Sequence, residues 1–184
     1  MSELLTQDEY QAIAKQLDFP TGAFIDGKSQ VSATGESFAT LDPATGNEIT
    51  QISVTDEAQV NFAVEKAREA FKDGRWSKLD PGERKAGLVQ LAKLIKRNAR
   101  ELAVLESLES GKPIADIETV DIPEAIDCLL WHAESIDKIY DQVAPTGDDV
   151  VSMIVREPIG VVACVLPKDF FKFIQASKKV NLSK

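Results

Sequence analysis

The sequence predicts an α/β protein in which short antiparallel strands are followed by three long helices and a closing apolar strand. Turn-forming residues divide 23–54 into short extended pieces, whereas residues 55–141 repeat their apolar positions at helical spacing. The run Ile159–Leu166 is apolar and β-branched and is opened by Pro158 and Gly160, which is typical of a strand buried on both faces. In a doubly wound sheet, the loop at the carboxyl end of such a strand holds the ligand.

Length and charge limit the functional classes. A chain of 184 residues with 43% hydrophobic residues is long enough for one globular domain. The net charge of -9, from 30 acidic and 21 basic residues, opposes binding to nucleic acid. We find neither a membrane-spanning apolar run nor a basic leader segment, so we expect a cytoplasmic protein without membrane contact.

The first half of the chain predicts one helix and then strands. Thr6 to Glu9 forms a capping box for an amphipathic helix that Pro20 and Gly22 end, so we separate residues 1–22 from residues 23–184. Strong turn formers between the next segments predict a meander of antiparallel strands at Ala23–Ile25, Ser37–Leu41 and Glu48–Val54.

Three helices are predicted next. The first starts at Thr55 and closes at Gly74. The second is opened by the Asp80-Pro-Gly-Glu83 cap, extends to Ser110 with a bend near Asn98, and presents an apolar face. The third covers Asp121–Asp141. Val150–Arg156 then predicts a strand, on its alternation of apolar residues.

A set of short motifs, recurring in one order, resembles the aldehyde dehydrogenase superfamily over Phe24 to Phe171. The motifs are Phe24-Ile-Asp-Gly27, Asp42-Pro-Ala-Thr-Gly46, Ala67-x-x-Ala70-Phe71, Trp76-Ser77, Glu101-Leu-Ala103, Leu105-Glu106-x-Leu108, Gly111-Lys-Pro113, Asp137-Lys138 and Arg156-Glu-Pro-x-Gly-Val161 followed by Pro167-x-x-Phe170. The resemblance implies the amino-terminal part of that fold, with the first strand of an incomplete Rossmann-like sheet. Within the superfamily, the bacterial enzymes for γ-glutamyl-aminobutyraldehyde and other amino-aldehydes are the most similar.

The resemblance implies oxidation of an aldehyde to a carboxylic acid with NAD or NADP. Backbone groups of Leu166, Pro167, Lys168 and Asp169 match positions that line the nicotinamide site. Asp169 stands where the family has the asparagine whose N–H binds the oxyanion. Because an ionised carboxylate only accepts hydrogen bonds, we expect Asp169 to be non-functional in that role and name no catalytic residue.

The remaining catalytic groups of the family have no counterpart in these residues. No Gly-Gln-x-Cys nucleophile motif and no glycine-rich phosphate turn occurs in the sequence. Cys128 and Cys164 are expected to be small core residues rather than nucleophiles. We therefore expect a truncated dehydrogenase that is inactive alone. The alternatives are a non-catalytic association module, whose apolar faces on the Asp80–Ser110 helix and the closing strand bind a partner, and one half of a split enzyme.

The resemblance also implies an ion site and an oligomer. Thr40, Leu41 and Asp121 match oxygen ligands for K⁺ or Na⁺, although Asp121 capping its helix and Thr40 as a strand residue explain the same positions. The strand at 150–156 matches an oligomerisation hairpin, or is an ordinary edge strand. We expect a homo-oligomer or association with a full-length relative. His132, beside Trp131, is expected to be a packing residue.

Overall fold

The computed structural model describes residues 3–165, in which helices and short strands follow one another along the chain. The elements are α1 (Gln7–Gln16), β1 (Ala23–Ile25), β2 (Lys28–Gln30), β3 (Ser37–Leu41), β4 (Glu48–Ser53), α2 (Glu57–Asp73), α3 (Pro81–Arg97), α4 (Ala99–Ser110), α5 (Ile114–Asp116), a π-helical segment (Ile117–Asp121), α6 (Ile122–Ser135), β5 (Gln142–Ala144) and β6 (Ser152–Ile154). The α/β composition and the antiparallel strands agree with the prediction.

The strands of residues 3–165 form three separate antiparallel hairpins, β1–β2, β3–β4 and β5–β6. The predicted single meander is therefore wrong, and β2 was missed. Asp26 and Gly27 have φ values of 51° and 75°, the geometry of a two-residue turn with both central residues left-handed. Such a turn joins β1 directly to β2 instead of separating β1 from β3.

Polar caps set where the helices begin. Thr6 and Glu9 form the predicted capping box of α1, with the Thr6 N–H donating to Glu9 Oε2 at 2.8 Å. The cap of α2 is Asp56, one residue later than predicted, because its carboxylate accepts from Gln59 N at 2.7 Å. The Asp80 N–H donates to the Glu83 carboxylate at 3.2 Å, as the sequence of that cap predicted.

The predicted bend near Asn98 is confirmed as a break that divides the second long helix into α3 and α4. Asn98 has φ -104° and ψ 20°, and its side-chain amide donates to the Leu94 carbonyl at 2.8 Å. The Leu94 carbonyl also accepts from the Asn98 backbone N–H at 3.1 Å, so Asn98 binds the end of α3 through both its backbone and its side chain.

The third long helix differs from its prediction at both ends. It begins earlier, with α5 and the π-helical segment leading directly into α6, and it ends at Ser135 instead of Asp141. The Lys138 ammonium donates to the Glu134 carbonyl at 2.8 Å and thereby satisfies the helix end. Asp141 lies just before β5, and its carboxylate accepts a hydrogen bond from the Arg156 N–H at 3.1 Å. This bond joins the start of β5 to the residues that follow β6.

The core lies between α3, α4, the π-helical segment and α6. Its buried members are Ile95, Leu102, Ala103, Ile117 and Ile122, and partly buried Leu91, Ala99, Ile114, Ile126 and Leu129 pack against them. The apolar faces of α3 and α4 are thus inside the molecule. The expectation that the face of the Asp80–Ser110 helix is open to a partner is wrong, because α6 packs along α3 and covers it.

A buried carboxylate anchors α1 to this helical body. The Glu118 side chain is 4% exposed, accepts from the Tyr10 hydroxyl at 2.6 Å and pairs with Arg100 at 3.4 Å. Arg100 also donates to the Glu3 carbonyl at 3.1 Å. Since α1 has no fully buried residue, these polar contacts supply much of its attachment.

The closing strand is not formed in the described part of the run. Residues 159–165 have no regular structure, with Ile159 92% and Val165 97% exposed, and Leu166 lies outside the described residues. The predicted burial is therefore wrong here. A strand buried on both faces needs paired neighbours and covering helices, and no strand among residues 3–165 pairs with this segment.

None of the helices in residues 3–165 is long and apolar enough to cross a bilayer.

The first prediction concerns the core. Ile117→Ala should lower the free energy of unfolding by about 2–5 kcal/mol, because Ile117 is fully buried and the substitution leaves a cavity. Ile159→Ala is the matched control, since it removes the same atoms from a side chain that is 92% exposed, and it should be close to neutral. Urea denaturation of both variants measures the difference, and equal losses would contradict this assignment of the core.

The second prediction concerns alkaline pH. Burial, and then the hydrogen bond to Glu118, raise the pKa of Tyr10 above its usual value. The folded state therefore favours the neutral Tyr10 hydroxyl. Its contribution to stability is complete below the ordinary tyrosine pKa of ~10, and it is lost as the pH rises through the folded-state pKa. Amide exchange of α1 should therefore accelerate in that range.

Tyr10→Phe provides the control for this pH effect. It should destabilise the chain by about 1 kcal/mol at neutral pH, because the Glu118 carboxylate loses a donor. It should also remove the alkaline step in α1 exchange. An identical step in the variant would show that another group is responsible.

Candidate functional site

The predicted nicotinamide loop, Leu166 to Asp169, lies outside the described residues. What the structure describes is the segment that leads to it. Gly160 has φ 117°, a conformation that residues with a Cβ rarely adopt, so the chain changes direction there. Val162, two residues later, is 65% exposed. The approach to the predicted loop therefore has no regular structure and is largely exposed.

Asp121, the predicted carboxylate ligand, is held by Lys112. The Lys112 ammonium donates to Asp121 Oδ1 at 2.8 Å and to Oδ2 at 2.6 Å. The hydrogen bond to Asp121 raises the pKa of Lys112 above its usual value. Lys112 follows Gly111, whose left-handed backbone ends α4 at φ 73° and ψ 7°. The pair thus links the end of α4 to the last residue of the π-helical segment.

Nothing in the sequence indicated this ion pair. The two residues are nine apart, and the π-helical segment between them has no recognised sequence signature. The prediction that Asp121 caps α6 is also wrong, because its backbone continues the helix and its side chain makes no capping hydrogen bond.

Thr40 and Leu41, the predicted carbonyl ligands, lie at the end of β3. They pair with Thr50 and Glu48, and the register shifts between them. The turn that follows is closed by Asp42, which accepts from Thr45 Oγ1 and Ala44 N, both at 2.8 Å. The hydrogen bond from Thr45 is the larger cause, and that from Ala44 the second, of a pKa of Asp42 below its usual value.

The β3–β4 turn packs against the end of α4. A Cβ added at Gly111 would lie 2.9 Å from Pro43 Cγ, so only glycine fits this approach, and it also has the required positive φ. The predicted ligand strand and the Lys112–Asp121 pair therefore both lie at the carboxyl end of α4.

The carbonyls of Thr40 and Leu41 and the carboxylate of Asp121 are chemically suited to a hard cation. The Asp121 carboxylate, however, is not free to bind one in this structure. Carbonyl and carboxylate oxygens are the ligands that such ions prefer. Both oxygens of Asp121 already accept from Lys112, whose ammonium supplies the compensating charge. A K⁺ or Na⁺ ion at Asp121 would have to displace Lys112. Among residues 3–165, no cluster of three or more His, Cys, Asp or Glu side chains is arranged to hold a metal ion.

Both cysteines are free and exposed, so the prediction that they are buried core residues is wrong. Ile126 and Leu129 occupy the inner side of α6, which turns Cys128 outward. Cys164 is exposed because the strand that would have buried it does not form in the described residues. His132 packs edge-on against Trp131, as predicted, with 4.9 Å between the two ring centroids. Trp131 is 65% exposed, so this contact lies at the surface.

The β5–β6 hairpin carries an apolar surface that we call the hairpin face: Val143, Val151, Met153 and Val155. Val143 lies directly opposite Met153, and side chains two residues apart on a strand share a face. Val143 is 71% exposed and Met153 is 64% exposed. A two-stranded hairpin is marginally stable alone, and a contiguous exposed apolar face is typical of a contact surface.

Comparison with known proteins matches this chain to one family. Residues 30–179 match the model of the aldehyde dehydrogenase family. An aminoacetaldehyde dehydrogenase of Pseudomonas aeruginosa is 52% identical over 170 residues, which cover 92% of this chain and 34% of that protein. The NADP/NAD-dependent aldehyde dehydrogenase PuuC of Escherichia coli is 40% identical over 161 residues, or 88% of this chain and 32% of that protein.

Solved structures agree. An indole-3-acetaldehyde dehydrogenase of P. syringae, in complex with NAD⁺ and IAA, superposes with a TM-score of 0.82 at 42% identity, over 85% of this chain and 32% of that one. The aldehyde dehydrogenase KauB of Pseudomonas aeruginosa superposes with a TM-score of 0.83 at 41% identity and the same coverage. The 184 residues thus span about a third of the length of these relatives, and the chain belongs to the aldehyde dehydrogenase family.

Proposed function

We propose that this chain forms the amino-terminal part of an NAD- or NADP-dependent aldehyde dehydrogenase. The overall reaction is oxidation of an aldehyde, with water and the oxidised cofactor, to a carboxylic acid and the reduced cofactor. The observation that carries the proposal is the family match over residues 30–179 together with the superposition at a TM-score of 0.82. The NAD⁺ complex of that structural relative supports the cofactor assignment.

Amino-aldehydes are the proposed substrate class. Support comes from the aminoacetaldehyde dehydrogenase at 52% identity and from a γ-glutamyl-γ-aminobutyraldehyde dehydrogenase of Burkholderia cenocepacia that superposes at a TM-score of 0.82. The substrate class is thus assigned from these two relatives.

Backbone groups of Leu166, Pro167, Lys168 and Asp169 are the proposed nicotinamide contacts. Bound nicotinamide would supply the hydride acceptor of the reaction. The Asp169 carboxylate would lie where an oxyanion develops, and it offers no donor when ionised. Since losing one oxyanion donor costs about 2.7–4 kcal/mol of transition-state stabilisation, Asp169 by itself predicts a severely impaired site.

The polypeptide of these 184 residues is proposed to be inactive alone, as one part of a longer or divided enzyme. It contains no Gly-Gln-x-Cys motif. Its two thiols lie on the exposed side of α6 and in an exposed, irregular segment. Free, exposed thiols favour a reducing compartment, which supports a cytoplasmic location as part of the proposal.

Association through the hairpin face is the proposed mode of assembly, either with a second copy or with a full-length relative. Val151 is 79% exposed and Val155 is 54% exposed, so burying the face removes apolar surface from water. The same face supports the alternative of a non-catalytic association module. Mixing this chain with the remaining portion of a relative distinguishes the two proposals, because only one part of an enzyme would restore catalysis.

The third prediction is the absence of catalysis. The purified chain, mixed with aminoacetaldehyde and NAD⁺ or NADP⁺, should show no reduced-cofactor absorbance above the protein-free rate, because the thiol nucleophile motif is missing. A full-length amino-aldehyde dehydrogenase under the same conditions is the positive control. Turnover that disappears in the Cys128→Ser or Cys164→Ser variant would overturn the proposal that this polypeptide lacks a nucleophile.

The fourth prediction concerns the proposed cation site at Thr40, Leu41 and Asp121. K⁺ should have little effect on thermal stability in the unmodified chain, because Lys112 already neutralises Asp121. In Lys112→Gln, K⁺ at tenfold above its dissociation constant should recover about 1.4 kcal/mol by mass action.

Choline chloride at equal ionic strength shows how much of the effect is general screening of charges by salt. The double variant Lys112→Gln/Asp121→Asn shows whether the effect needs the Asp121 carboxylate. An equal response to K⁺ and choline in the single variant would show that these oxygens do not form a cation site.

A further inference from the structure

The π-helical segment Ile117–Asp121 carries a carboxylate near each of its ends. Glu118, near the start, accepts a hydrogen bond from the Tyr10 hydroxyl of α1 at 2.6 Å. Asp121, at the end, accepts two hydrogen bonds from the Lys112 ammonium. A single helical turn therefore makes contact both with α1 and with the chain that follows α4.

The π geometry of this turn is what buries its two flanking isoleucines together. The Ile122 N–H donates to the carbonyl of Ile117, five residues earlier. A bond of this span brings side chains five residues apart near one face, whereas in an α-helix they diverge by about 140°. Ile117 is 0% exposed and Ile122 is 2% exposed, so both reach the core.

Pro123 prevents this turn from relaxing into an ordinary α-helix. It has no N–H, and in a continuous α-helix its ring would clash with the carbonyl of Thr119, four residues earlier. The π-helix itself is rare and usually limited to one turn. The alternative to the closed π turn is therefore an open turn, and the closed form depends on the side-chain contacts that it makes.

The two carboxylates add to the contacts that keep the turn closed. The Glu118 side chain is only 4% exposed, and its Oε1 accepts from Arg100 Nε at 3.4 Å. The Asp121 side chain is 26% exposed and lies 2.6 Å from the Lys112 ammonium. Because the residues of one helical turn gain or lose their order together, a contact at one end stabilises the contact at the other end.

We propose that Ile117–Asp121 is a conformational switch that couples the docking of α1 to the Lys112–Asp121 ion pair. In the closed form, the π turn holds Glu118 against Tyr10 and Asp121 against Lys112. In the open form, both contacts are weakened and α1 is released. The inference does not depend on the dehydrogenase function proposed above.

The helix α1 has the properties of an element that opens separately from the core. Its ten residues include none that is fully buried, and a helix of this length is marginal by itself in water. Elements with few buried apolar contacts open at a lower free energy than the core does. Release of α1 therefore leaves the packing of α3 against α6 in place.

Native-state hydrogen exchange of the full 184-residue chain tests the coupling, in a choline buffer without K⁺ or Na⁺. In Lys112→Gln, we expect the amides of α1 to exchange about fivefold faster, which is at the low end of measured couplings between sites. Asp121→Asn should accelerate them as well. These two substitutions change the net charge in opposite directions, so a direct electrostatic effect on α1 would have opposite signs in the two variants.

The matched control is Lys85→Gln. Lys85 pairs with Glu134 at 2.8 Å, and neither residue belongs to the π-helical segment. Since a partly exposed ion pair contributes little to global stability, this variant should change the exchange of α1 by no more than about twofold. The same limit should hold for the amides near Ile95 in all three variants, which distinguishes release of α1 from general destabilisation.

The reverse effect is the second measurement, because a coupling between two sites is reciprocal. Tyr10→Phe removes the hydroxyl that donates to Glu118. The amide of Ile122, which closes the π turn, should then exchange faster by a similar factor.

Three results would overturn the proposal. The first is exchange of α1 in Lys112→Gln that equals its exchange in Lys85→Gln. The second is a pair of opposite changes in Lys112→Gln and Asp121→Asn, which would show that α1 responds to charge and not to the turn. The third is an equal acceleration of α1 and of the amides near Ile95, which would show that the whole core is destabilised.

Discussion

The packing of Ile117 and Ile122 between α3, α4 and α6 is the contact on which the rest of the structure depends. Both side chains are almost completely buried, and no other large side chain in residues 3–165 is buried to that degree. Together with the π-helical segment, these three helices form a small core. Ile95 and Leu102 complete this core, and partly buried apolar residues pack against it.

The same short segment also carries the polar anchors of the fold. Ile117–Asp121 is π-helical, a rare geometry that is frequent at functional sites. Glu118, next to Ile117, holds α1 through Tyr10 and Arg100, and Asp121, next to Ile122, holds Lys112 at the end of α4. Core packing thereby fixes the position of two carboxylates. One of them, Asp121, is the position that the family resemblance assigns to a cation site.

Local signals in the sequence predicted the local features of the fold. The capping box at Thr6, the cap at Asp80 and the break near Asn98 depend on hydrogen bonds within a few residues, so a single sequence reveals them. The β1–β2 hairpin was missed because Asp26-Gly27 was interpreted as a boundary and not as a hairpin turn. The Lys112–Asp121 and Tyr10–Glu118 contacts were missed because they join residues 9 and 108 positions apart.

The largest difference between prediction and structure concerns residues 159–165. Ile159 to Val165 has the composition of a buried strand, yet its burial requires paired strands and covering helices that the described residues do not provide. Cys164 is exposed for the same reason. Among the described residues, 159–165 has no paired strand and is mostly exposed. The predicted contacts of Leu166 to Asp169 stay predictions.

Native-state hydrogen exchange tests this account most directly, because it reports which amides the helical core protects. The account predicts strong protection in α3, α4, the π-helical segment and α6, and rates close to those of an unstructured peptide at 159–165. Protection of 159–165 equal to that of the helices would contradict it, since the segment would then be a formed strand and the helical core would not be the main stabilising unit.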